Sequence, residues 1–202
     1  MFSLMNEINV YILHTSFVND NYSFIVSHID KSRIEKANRF VQKKDQLLSL
    51  GGGYLLYKFL PHKEIKFTDN GKPYMENGPY FNLSHSGEYV VLAISIDRDV
   101  GVDIERIDQS KIEAIKYTLV DEEKEINDIN DLFLLWSNKE SLIKCFSNSL
   151  MDIRKIKGLP LEGNRYGGYT KSMLYDGYSL SLTLKEEKPF NIDIKKINSL
   201  GD

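Results

Sequence analysis

The sequence is poor in cysteine and in long apolar runs. Its single cysteine, Cys145, excludes a disulfide within the chain and favours a reducing compartment, so the cytoplasm is the expected location. No apolar run approaches the ~18 residues that a helix needs to cross a bilayer. Residues 1–13 lack the basic segment and the small-residue cleavage site of a signal peptide. We therefore expect a protein without a membrane partner.

The sequence also has little excess charge of either sign. Its 26 Lys and Arg and 29 Asp and Glu give a net charge of −3, which predicts neither nucleic acid nor an anionic surface as a partner. The 202 residues suffice for one large domain or two small ones. Residues 30–45 are locally basic, a pattern that by itself is typical of a solvated helix face. The basic residues there are Lys31, Arg33, Lys36, Arg39, Lys43 and Lys44.

The hydrophobic pattern predicts an α+β fold. Each half of the chain has helical spacing followed by strand patterns, so residues 1–98 and 99–202 are predicted to form two α+β lobes of similar build. The predicted helices are 31–60, interrupted by glycines at 51–53, then 109–126 and 131–146. The predicted strands are 8–13, 80–83, 89–96, 100–104, 178–184 and 190–197, with a turn at 84–87.

Two acidic residues lie on one predicted strand. Asp103 and Glu105 are two positions apart, so both carboxylates point to one face while Val102 and Ile104 point to the other. Like charges this close destabilise each other unless a cation or basic groups lie between them. Hard divalent cations such as magnesium take oxygen ligands and bridge substrate phosphates. Asp-x-Glu is also common on exposed strands, and the pattern alone leaves both interpretations open.

A second group of polar residues lies on the last predicted helix. Trp136, Glu140 and Lys144 share one face at a spacing of four residues. Glu140 and Lys144 could form an exposed ion pair of little energetic consequence. Trp136 is the only tryptophan and should pack inward, which would draw both charged residues beside buried surface. Charged groups at such positions are either paired or functional.

A third group surrounds His85. A histidine between Ser84 and Ser86 can donate hydrogen bonds to a phosphate, although a polar turn is the plainer interpretation. No nucleophile elbow accompanies it, so serine beside histidine does not indicate a hydrolase. The glycines at 51–53 are not followed by the Gly-Lys-Ser of a phosphate loop. Lys72 lies in a predicted turn shortly before this segment.

Taken together and in order, these segments resemble the 4'-phosphopantetheinyl transferase superfamily, in particular its monomeric type that activates peptide synthetases. Each segment alone is a weak match, whereas four in the right order with short spacers are specific. The resemblance spans roughly residues 30–185. The segments that carry it are Gly71-Lys72-Pro73, Phe81-Asn82-Leu83-Ser84-His85-Ser86, Gly101-Val102-Asp103-Ile104-Glu105, and Trp136-Ser137-Asn138-Lys139-Glu140-Ser141 with Lys144.

The resemblance implies two α+β lobes related by a pseudo-twofold axis, with coenzyme A in the cleft between them. It implies transfer of the phosphopantetheine group from coenzyme A to a serine of an acyl or peptidyl carrier protein. By the same resemblance, Asp103, Glu105 and Glu140 would bind magnesium. The residues implied to contact coenzyme A are Arg33, Lys36, Ser49, Lys72, Ser84 and His85, with His85 on the 3'-phosphate.

Glu140, or a magnesium-bound water that it orients, is the expected base for the carrier serine, and Lys144 would offset charge on the departing phosphate. Two other functions stay open: a magnesium-dependent phosphohydrolase, and a catalytically silent module that binds coenzyme A or a carrier. A silent module is expected to lack one of Asp103, Glu105, Glu140 and Lys144, and this chain retains all four. Residues 145–150 have no glycine where the family has a glycine-containing turn, and the chain is short for the monomeric type. Both departures concern the expected carrier-docking side.

Overall fold

The computed structural model describes residues 7–147 and 150–202. It has a mixed α+β fold with two sheet-containing lobes. The strands in these ranges are β1 (Glu7–His14), β2 (Lys66–Phe67), β3 (Pro73–Tyr74), β4 (Tyr80–Ser86), β5 (Tyr89–Ser95), β6 (Val100–Arg106), β7 (Glu162–Arg165), β8 (Gly168–Tyr175), β9 (Tyr178–Leu184) and β10 (Asn191–Ile197). The α-helices are α1 (Thr15–Asp20), α2 (Tyr22–His28), α3 (Lys31–Asn38), α4 (Lys43–Phe59), α5 (Ile112–Lys116) and α6 (Ile129–Phe146), and short 3-10 turns cover Gln109–Lys111, Asp121–Glu123 and Leu150–Lys155.

The first lobe is a four-stranded sheet in the order β10-β1-β5-β4, covered on one face by helices. β1 is antiparallel to β5 and parallel to β10, so a strand from the end of the chain completes this sheet. Leu13 of β1 and Leu92 of β5 pack with Tyr54 and Leu55 of α4 in the core beneath the helices. The predicted division between residues 98 and 99 falls between β5 and β6. β10 follows this division in the sequence but joins the first sheet, so the division of the chain into two lobes at this point stays a prediction.

The second lobe is a four-stranded sheet in the order β6-β9-β8-β7, and α6 packs on its outer face. Alternate residues of β6 and β9, such as Val102 and Leu180, join Val10 and Val91 of the first lobe in one core between the sheets. Because side chains alternate along a strand, Gly101, Asp103 and Glu105 lie on the other face of β6, the face towards α6. Within the described ranges, no helix is both long and apolar enough to span a membrane.

The structure corrects the prediction of an N-terminal helix interrupted by glycines. The break falls between α3 and α4, at residues 39–42, and the glycines at 51–53 lie inside α4. They serve close packing: a Cβ on Gly51 would lie 3.2 Å from the Val18 side chain and 3.3 Å from that of Val90. The prediction that these glycines interrupt the helix was wrong, because burial of this stretch compensates for glycine's low helix propensity.

Other predicted elements also change. β4 continues through Ser86, so residues 84–86 belong to a strand and the turn begins at Gly87. The predicted helix over 109–126 is reduced to α5 and two 3-10 turns, since the apolar spacing there docks Ile115 and Leu119 without a continuous helix. The helix predicted over 131–146 is confirmed as α6. Of the glycine-free segment 145–150, residues 148 and 149 lie outside the described residues.

Candidate functional site

The two sheets meet where β4 and β6 run side by side. Three side chains of β4 bridge them by accepting hydrogen bonds from backbone N–H groups of β6. Asn82 Oδ1 accepts from Val102 at 2.9 Å. Ser84 Oγ and Ser86 Oγ accept from the N–H groups two and four residues further along β6, at 3.3 Å and 3.1 Å. We call Asn82, Ser84 and Ser86 the seam; they set the two acidic residues of β6 against the first lobe.

Asp103 lies at the centre of the site and is only 4 % exposed. Its Oδ1 accepts a hydrogen bond from Ser84 Oγ at 3.0 Å and pairs with Lys144 Nζ at 2.5 Å. Its Oδ2 is buried and has no hydrogen-bond partner among the described residues. A buried carboxylate oxygen without a partner is costly, and a bound cation is one way to stabilise it.

Glu105 lies two residues further along the same face, as predicted. Its Oε2 accepts hydrogen bonds from Ser86 Oγ at 2.8 Å and from Lys111 Nζ at 2.9 Å. Lys111 was not predicted from the sequence, and no signal there indicates its role, because it lies in a 3-10 turn whose placement depends on the fold. Asp103 and Glu105 are therefore each held by one serine and one lysine.

Glu140 faces this pair from α6 and is 6 % exposed. Burial, followed by the negative charge of Asp103, raises the pKa of Glu140 to about 7, against the opposing effect of Lys144; Glu105 adds a smaller upward contribution. A carboxylate with a pKa near neutrality can both release and accept a proton under working conditions. The electrostatic coupling places the three predicted acidic residues in one neighbourhood.

Gly101 allows α6 to approach β6 this closely. A Cβ at this position would collide with the Ser141 carbonyl oxygen and lie 2.5 Å from the Cys145 backbone nitrogen. Backbone atoms of a helix cannot move aside as a flexible side chain can. The glycine at the start of the Gly-Val-Asp-Ile-Glu segment therefore fixes the distance between the carboxylates of β6 and the side chains of α6.

The lysine of α6 pairs across the site. The ion pair of Lys144 in the described part of the chain is with Asp103, and its Nζ also donates to Ser84 Oγ at 3.1 Å. The predicted alternative, an exposed ion pair between Lys144 and Glu140, is therefore wrong, because Lys144 pairs with Asp103 and Glu140 is buried. Trp136, on the same helix face, is half-buried against two apolar clusters, as expected from its inward packing.

The carboxylates do not form a ready-made metal cage. Among residues 7–147 and 150–202, no group of three or more His, Cys, Asp or Glu has the geometry to hold a metal ion. The charges of Asp103 and Glu105 nevertheless raise the pKa of Glu140, and Lys144 lies beside Asp103 Oδ1. In this arrangement the ammonium groups of Lys144 and Lys111 lie beside Asp103 and Glu105 and offset part of the negative charge.

A cavity of about 300 Å³ lies in the first lobe and is lined by four of the residues predicted to contact coenzyme A. They are Arg33, Lys36, Ser49 and His85. Burial, followed by the charge of Lys144, lowers the pKa of His85, and burial lowers the pKa of Arg33 despite the opposing charge of Asp30. His85 stands on β4 between Ser84 and Ser86, whose hydroxyls donate to Asp103 and Glu105, so this basic cavity lies near the carboxylates.

Lys72 and Ser84, also predicted to contact coenzyme A, are engaged elsewhere. Lys72 Nζ pairs with Asp99 at 2.9 Å and donates to the Cys145 carbonyl oxygen at 2.6 Å, so its side chain is held against the end of α6. Its neighbours Gly71 and Pro73 line the cavity, while Lys72 does not. Ser84 belongs to the seam. For both residues, a contact with coenzyme A stays a prediction.

Two family models match consecutive parts of this chain. Residues 16–97 match the family described as 4'-phosphopantetheinyl transferase, N-terminal. Residues 99–196 match the 4'-phosphopantetheinyl transferase superfamily. The chain belongs to this superfamily. The predicted family and the mixed α+β fold with two lobes are thus confirmed.

The sequence of this chain is similar to those of several proteins named 4'-phosphopantetheinyl transferase. The similarity to gsp of Aneurinibacillus migulanus is 29% identity over 201 residues, covering 87% of this chain and 84% of the relative. Sfp of Bacillus subtilis is 32% identical over 136 residues, covering 59% of this chain and 60% of the relative. For psf-1 of Bacillus pumilus the identity is 38% over 96 residues, covering 42% of this chain and 41% of the relative.

The transferase has one further charged contact that sequence reasoning missed. Lys139, in the Trp-x-x-Lys-Glu segment, is fully buried and pairs with the equally buried Glu123 at 2.5 Å. Lys139 Nζ also donates to the Thr118 carbonyl oxygen at 3.1 Å, and Glu123 Oε1 accepts from the Gly158 N–H at 2.6 Å. The lysine before Glu140 thereby ties α6 to two loops. Its position in the motif was the available signal, but the buried partner could not be predicted.

Proposed function

We propose that this protein transfers the 4'-phosphopantetheine group of coenzyme A to a serine of an apo acyl or peptidyl carrier protein, releasing 3',5'-adenosine diphosphate. The observation that carries the proposal is the position of Asp103, Glu105 and Glu140 with Lys144 beside a basic cavity. A phosphoryl-transfer site needs positive groups around the phosphates and a base for the nucleophile. The names of its relatives support the same reaction.

The basic cavity is the proposed site for the adenosine and 3'-phosphate of coenzyme A. Arg33 and Lys36 of α3 bring positive charge to it, and His85 lines it from β4. Ser49 adds a hydroxyl from α4. Coenzyme A bound here would direct its pyrophosphate towards the seam, where Lys144 Nζ of the second lobe lies 3.1 Å from Ser84 Oγ.

The acidic residues fit a divalent cation by their chemistry. Asp103, Glu105 and Glu140 offer oxygen ligands, which magnesium prefers, and Asp103 Oδ2 has no partner in the described structure. We propose that these three residues hold magnesium with coenzyme A. A bound magnesium ion would neutralise charge on the pyrophosphate. Lys144 supplies part of that neutralisation from the protein itself.

Glu140 is the proposed base. The oxygen of the carrier serine forms a bond to the β-phosphorus of coenzyme A, the bond to the 3',5'-adenosine diphosphate oxygen breaks, and the serine proton passes to Glu140. A pKa of about 7 suits this task, because about half of the Glu140 side chains are ionised at pH 7 and the carboxylate is basic enough to accept a proton. Lys144 would stabilise the negative charge that grows on the departing phosphate.

We propose a monomer acting in the cytoplasm, with neither nucleic acid nor a membrane as partner. Each part of the proposed site comes from the same chain: His85 from the first lobe, and Asp103 and Glu140 from the second. A second copy is therefore not needed to complete it. The single cysteine, Cys145, is buried and agrees with a reducing compartment.

Incubation with coenzyme A, magnesium and a panel of apo carrier proteins tests the proposal. The carriers are then weighed intact, and a mass gain of one phosphopantetheine is expected on at least one of them. Release of product from coenzyme A without any carrier would indicate a phosphohydrolase instead. Binding of coenzyme A with no product in any reaction would indicate a silent binding module. The Glu140→Gln variant is the negative control.

A further inference from the structure

The seam repeats the same contacts at an interval of two residues. Ser84 touches two consecutive residues of β6: its hydroxyl donates to Asp103 Oδ1 at 3.0 Å and accepts from the Ile104 N–H at 3.3 Å. Ser86 does the same one step further, donating to Glu105 Oε2 at 2.8 Å and accepting from the Arg106 N–H at 3.1 Å. Each serine thus binds a carboxylate and the backbone that follows it.

Asn82 begins the repeat and differs from the serines in an informative way. It faces the part of β6 that starts with Gly101, which has no side chain for it to contact. Among the described residues, the hydrogen bond of the Asn82 side chain is the one that its Oδ1 accepts from the Val102 N–H at 2.9 Å. Hydroxyl donors therefore occur in the seam at the two positions where β6 presents a carboxylate.

The Ser84 hydroxyl has no capacity left for a phosphate. A hydroxyl has one proton to donate and two lone pairs to accept with. The proton goes to Asp103, and the lone pairs accept from the Ile104 N–H and from Lys144 Nζ at 3.1 Å. Ser84 is also buried, with 6 % exposed. These contacts oppose the phosphate-binding role that the family resemblance implies for it.

We propose that Ser84 and Ser86 are positioning residues that fix the carboxylates of Asp103 and Glu105 for the cation. Each serine binds both the carboxylate and the backbone of β6, the strand that carries the carboxylate. The acidic side chain therefore keeps one orientation if a metal ion binds and Lys144 moves. Outer groups that hydrogen-bond a metal ligand typically change metal affinity 10- to 100-fold when removed. The role rests on the proposed function, because that function makes these carboxylates metal ligands.

Hydrogen exchange tests the seam without metal or coenzyme A. Ser84→Ala should speed exchange of the Ile104 amide, and Ser86→Ala that of the Arg106 amide, each by roughly tenfold for one lost hydrogen bond. Ser95→Ala is the matched control, since Ser95 is a buried strand serine of β5 outside the seam. Unchanged exchange at Ile104 in Ser84→Ala would overturn the seam contact.

Manganese binding tests the positioning role. The protein is mixed with coenzyme A but no carrier, so that no transfer occurs, and free Mn²⁺ is followed by electron paramagnetic resonance. Ser84→Ala and Ser86→Ala should weaken Mn²⁺ binding about 10-fold or more, while Ser95→Ala leaves it unchanged. Ser84→Thr keeps the hydroxyl and should recover most of the affinity. The ratio of the Kd values for coenzyme A and 3'-dephospho-coenzyme A should stay that of the wild type.

Two results would overturn the positioning role. One is wild-type Mn²⁺ affinity in both alanine variants. The other is a selective loss of coenzyme A binding in Ser84→Ala with 3'-dephospho-coenzyme A unaffected, which would make Ser84 a phosphate ligand. Failure of the proposed function gives a different result: wild-type protein that binds Mn²⁺ and coenzyme A but loads no carrier. Weaker Mn²⁺ binding in the alanine variants would still support the positioning role in that case.

Discussion

At the scale of single residues, His85 is a side chain whose charge we expect to change when coenzyme A binds. Burial, followed by the charge of Lys144, lowers its pKa against the opposing charge of Asp45, which favours the neutral imidazole in the absence of ligand. A phosphate placed against it would raise that pKa again, because an opposite charge favours the protonated form. Binding of coenzyme A should then take up a proton at His85.

We therefore expect coenzyme A to bind more tightly as the pH falls from about 8 to 6, in the range where histidine titrates. His85→Ala should weaken coenzyme A binding and remove this pH dependence, while 3'-dephospho-coenzyme A is affected much less. Calorimetry in two buffers of different ionisation enthalpy measures both the affinity and the proton uptake. Equal losses for the two ligands would place His85 away from the 3'-phosphate.

The second residue-scale prediction concerns Glu140 and Lys144. Glu140→Gln keeps the size and one oxygen but loses the negative charge and the basicity, so kcat should fall on the order of 10²-fold or more. Lys144→Ala should also lower kcat, and the double variant should lose less than the combined effect, since both act on one transition state. Single-turnover rates at saturating coenzyme A and magnesium measure this.

A matched control for the same experiment is Glu125→Gln, which changes an exposed glutamate outside the site in the same way. Its rate should equal that of the wild type. Additive losses in Glu140→Gln and Lys144→Ala, or wild-type rates in both, would contradict the assigned roles. A stability change alone would leave only a structural ion-pair role.

At this scale, the sequence predicted the features that depend only on the regular spacing of residues within one strand or one helix. Strand periodicity alone placed Asp103 and Glu105 on one face, and helical periodicity put Glu140 and Lys144 together. Lys111 and the seam contacts of Ser84 could not be predicted. Their partners are set by how β4 and β6 lie beside each other, which no pattern within either strand specifies.

At the scale of whole elements, the contact between α6 and β6 decides the geometry of the site. Gly101→Ala should push α6 away from the carboxylates, because the new methyl group meets helix backbone rather than a movable side chain. We expect a loss of about 1–3 kcal/mol in the free energy of unfolding, typical of overpacking, together with a marked fall in kcat. Urea unfolding and single-turnover rates measure the two effects.

The control for Gly101→Ala is Gly52→Ala within α4. A Cβ there has its nearest neighbours, Leu83 and Val90, at 3.9 Å, which is ordinary contact. Because alanine is the better helix former, the substitution should leave stability unchanged or raise it. If Gly101→Ala were as stable and as active as the wild type, α6 would not be limited by its backbone contact with β6.

Elements were predictable where packing follows one strong period. The apolar spacing of α6 gave its extent to within two residues at its start. β7, with the sequence Glu-Gly-Asn-Arg, has no apolar alternation and could not be recognised. The glycines of α4 misled the prediction, because their packing against Val18 and Ile29 depends on neighbours from other elements.

At the scale of the whole molecule, the hairpin of β2 and β3 links the first lobe to the end of α6. Lys72 reaches Asp99 and the Cys145 carbonyl, and Asn70 Nδ2 donates to the Ser147 carbonyl oxygen at 2.6 Å. Both carbonyls lie at the helix end, where positive groups and donors are stabilising. This link holds the turn of α6 that carries Lys144.

If Lys72 serves this link, Lys72→Met and Asp99→Asn should lower kcat to a similar extent and leave the Kd for coenzyme A nearly unchanged. Asp99, being negatively charged, would not bind a phosphate. A similar fall in kcat for Asp99→Asn and Lys72→Met would therefore assign the effect to the ion pair between them. Lys66→Met, in the same hairpin but paired with Glu76 at 2.9 Å, is the control. A large rise in Kd for Lys72→Met alone would instead support the predicted contact with coenzyme A.

The two-lobe arrangement was predictable because each half of the sequence contains helices followed by strands. The partner of the last strand was not. β10 alternates apolar and polar residues in the manner of a strand, but its pattern is equally compatible with the edge of either sheet. Its place beside β1 is decided by the whole fold.

The parallel pairing of β1 with β10 sets an order for the synthesis of the protein. Glu7 lies opposite Asn191, so β1 acquires this neighbour only after the residues between the two strands have been synthesised. Until then, the nascent first sheet has an unpaired edge that other chains could use as a template. Contacts this distant in sequence also form slowly. The first lobe is therefore completed only after the strands of the second lobe have been made.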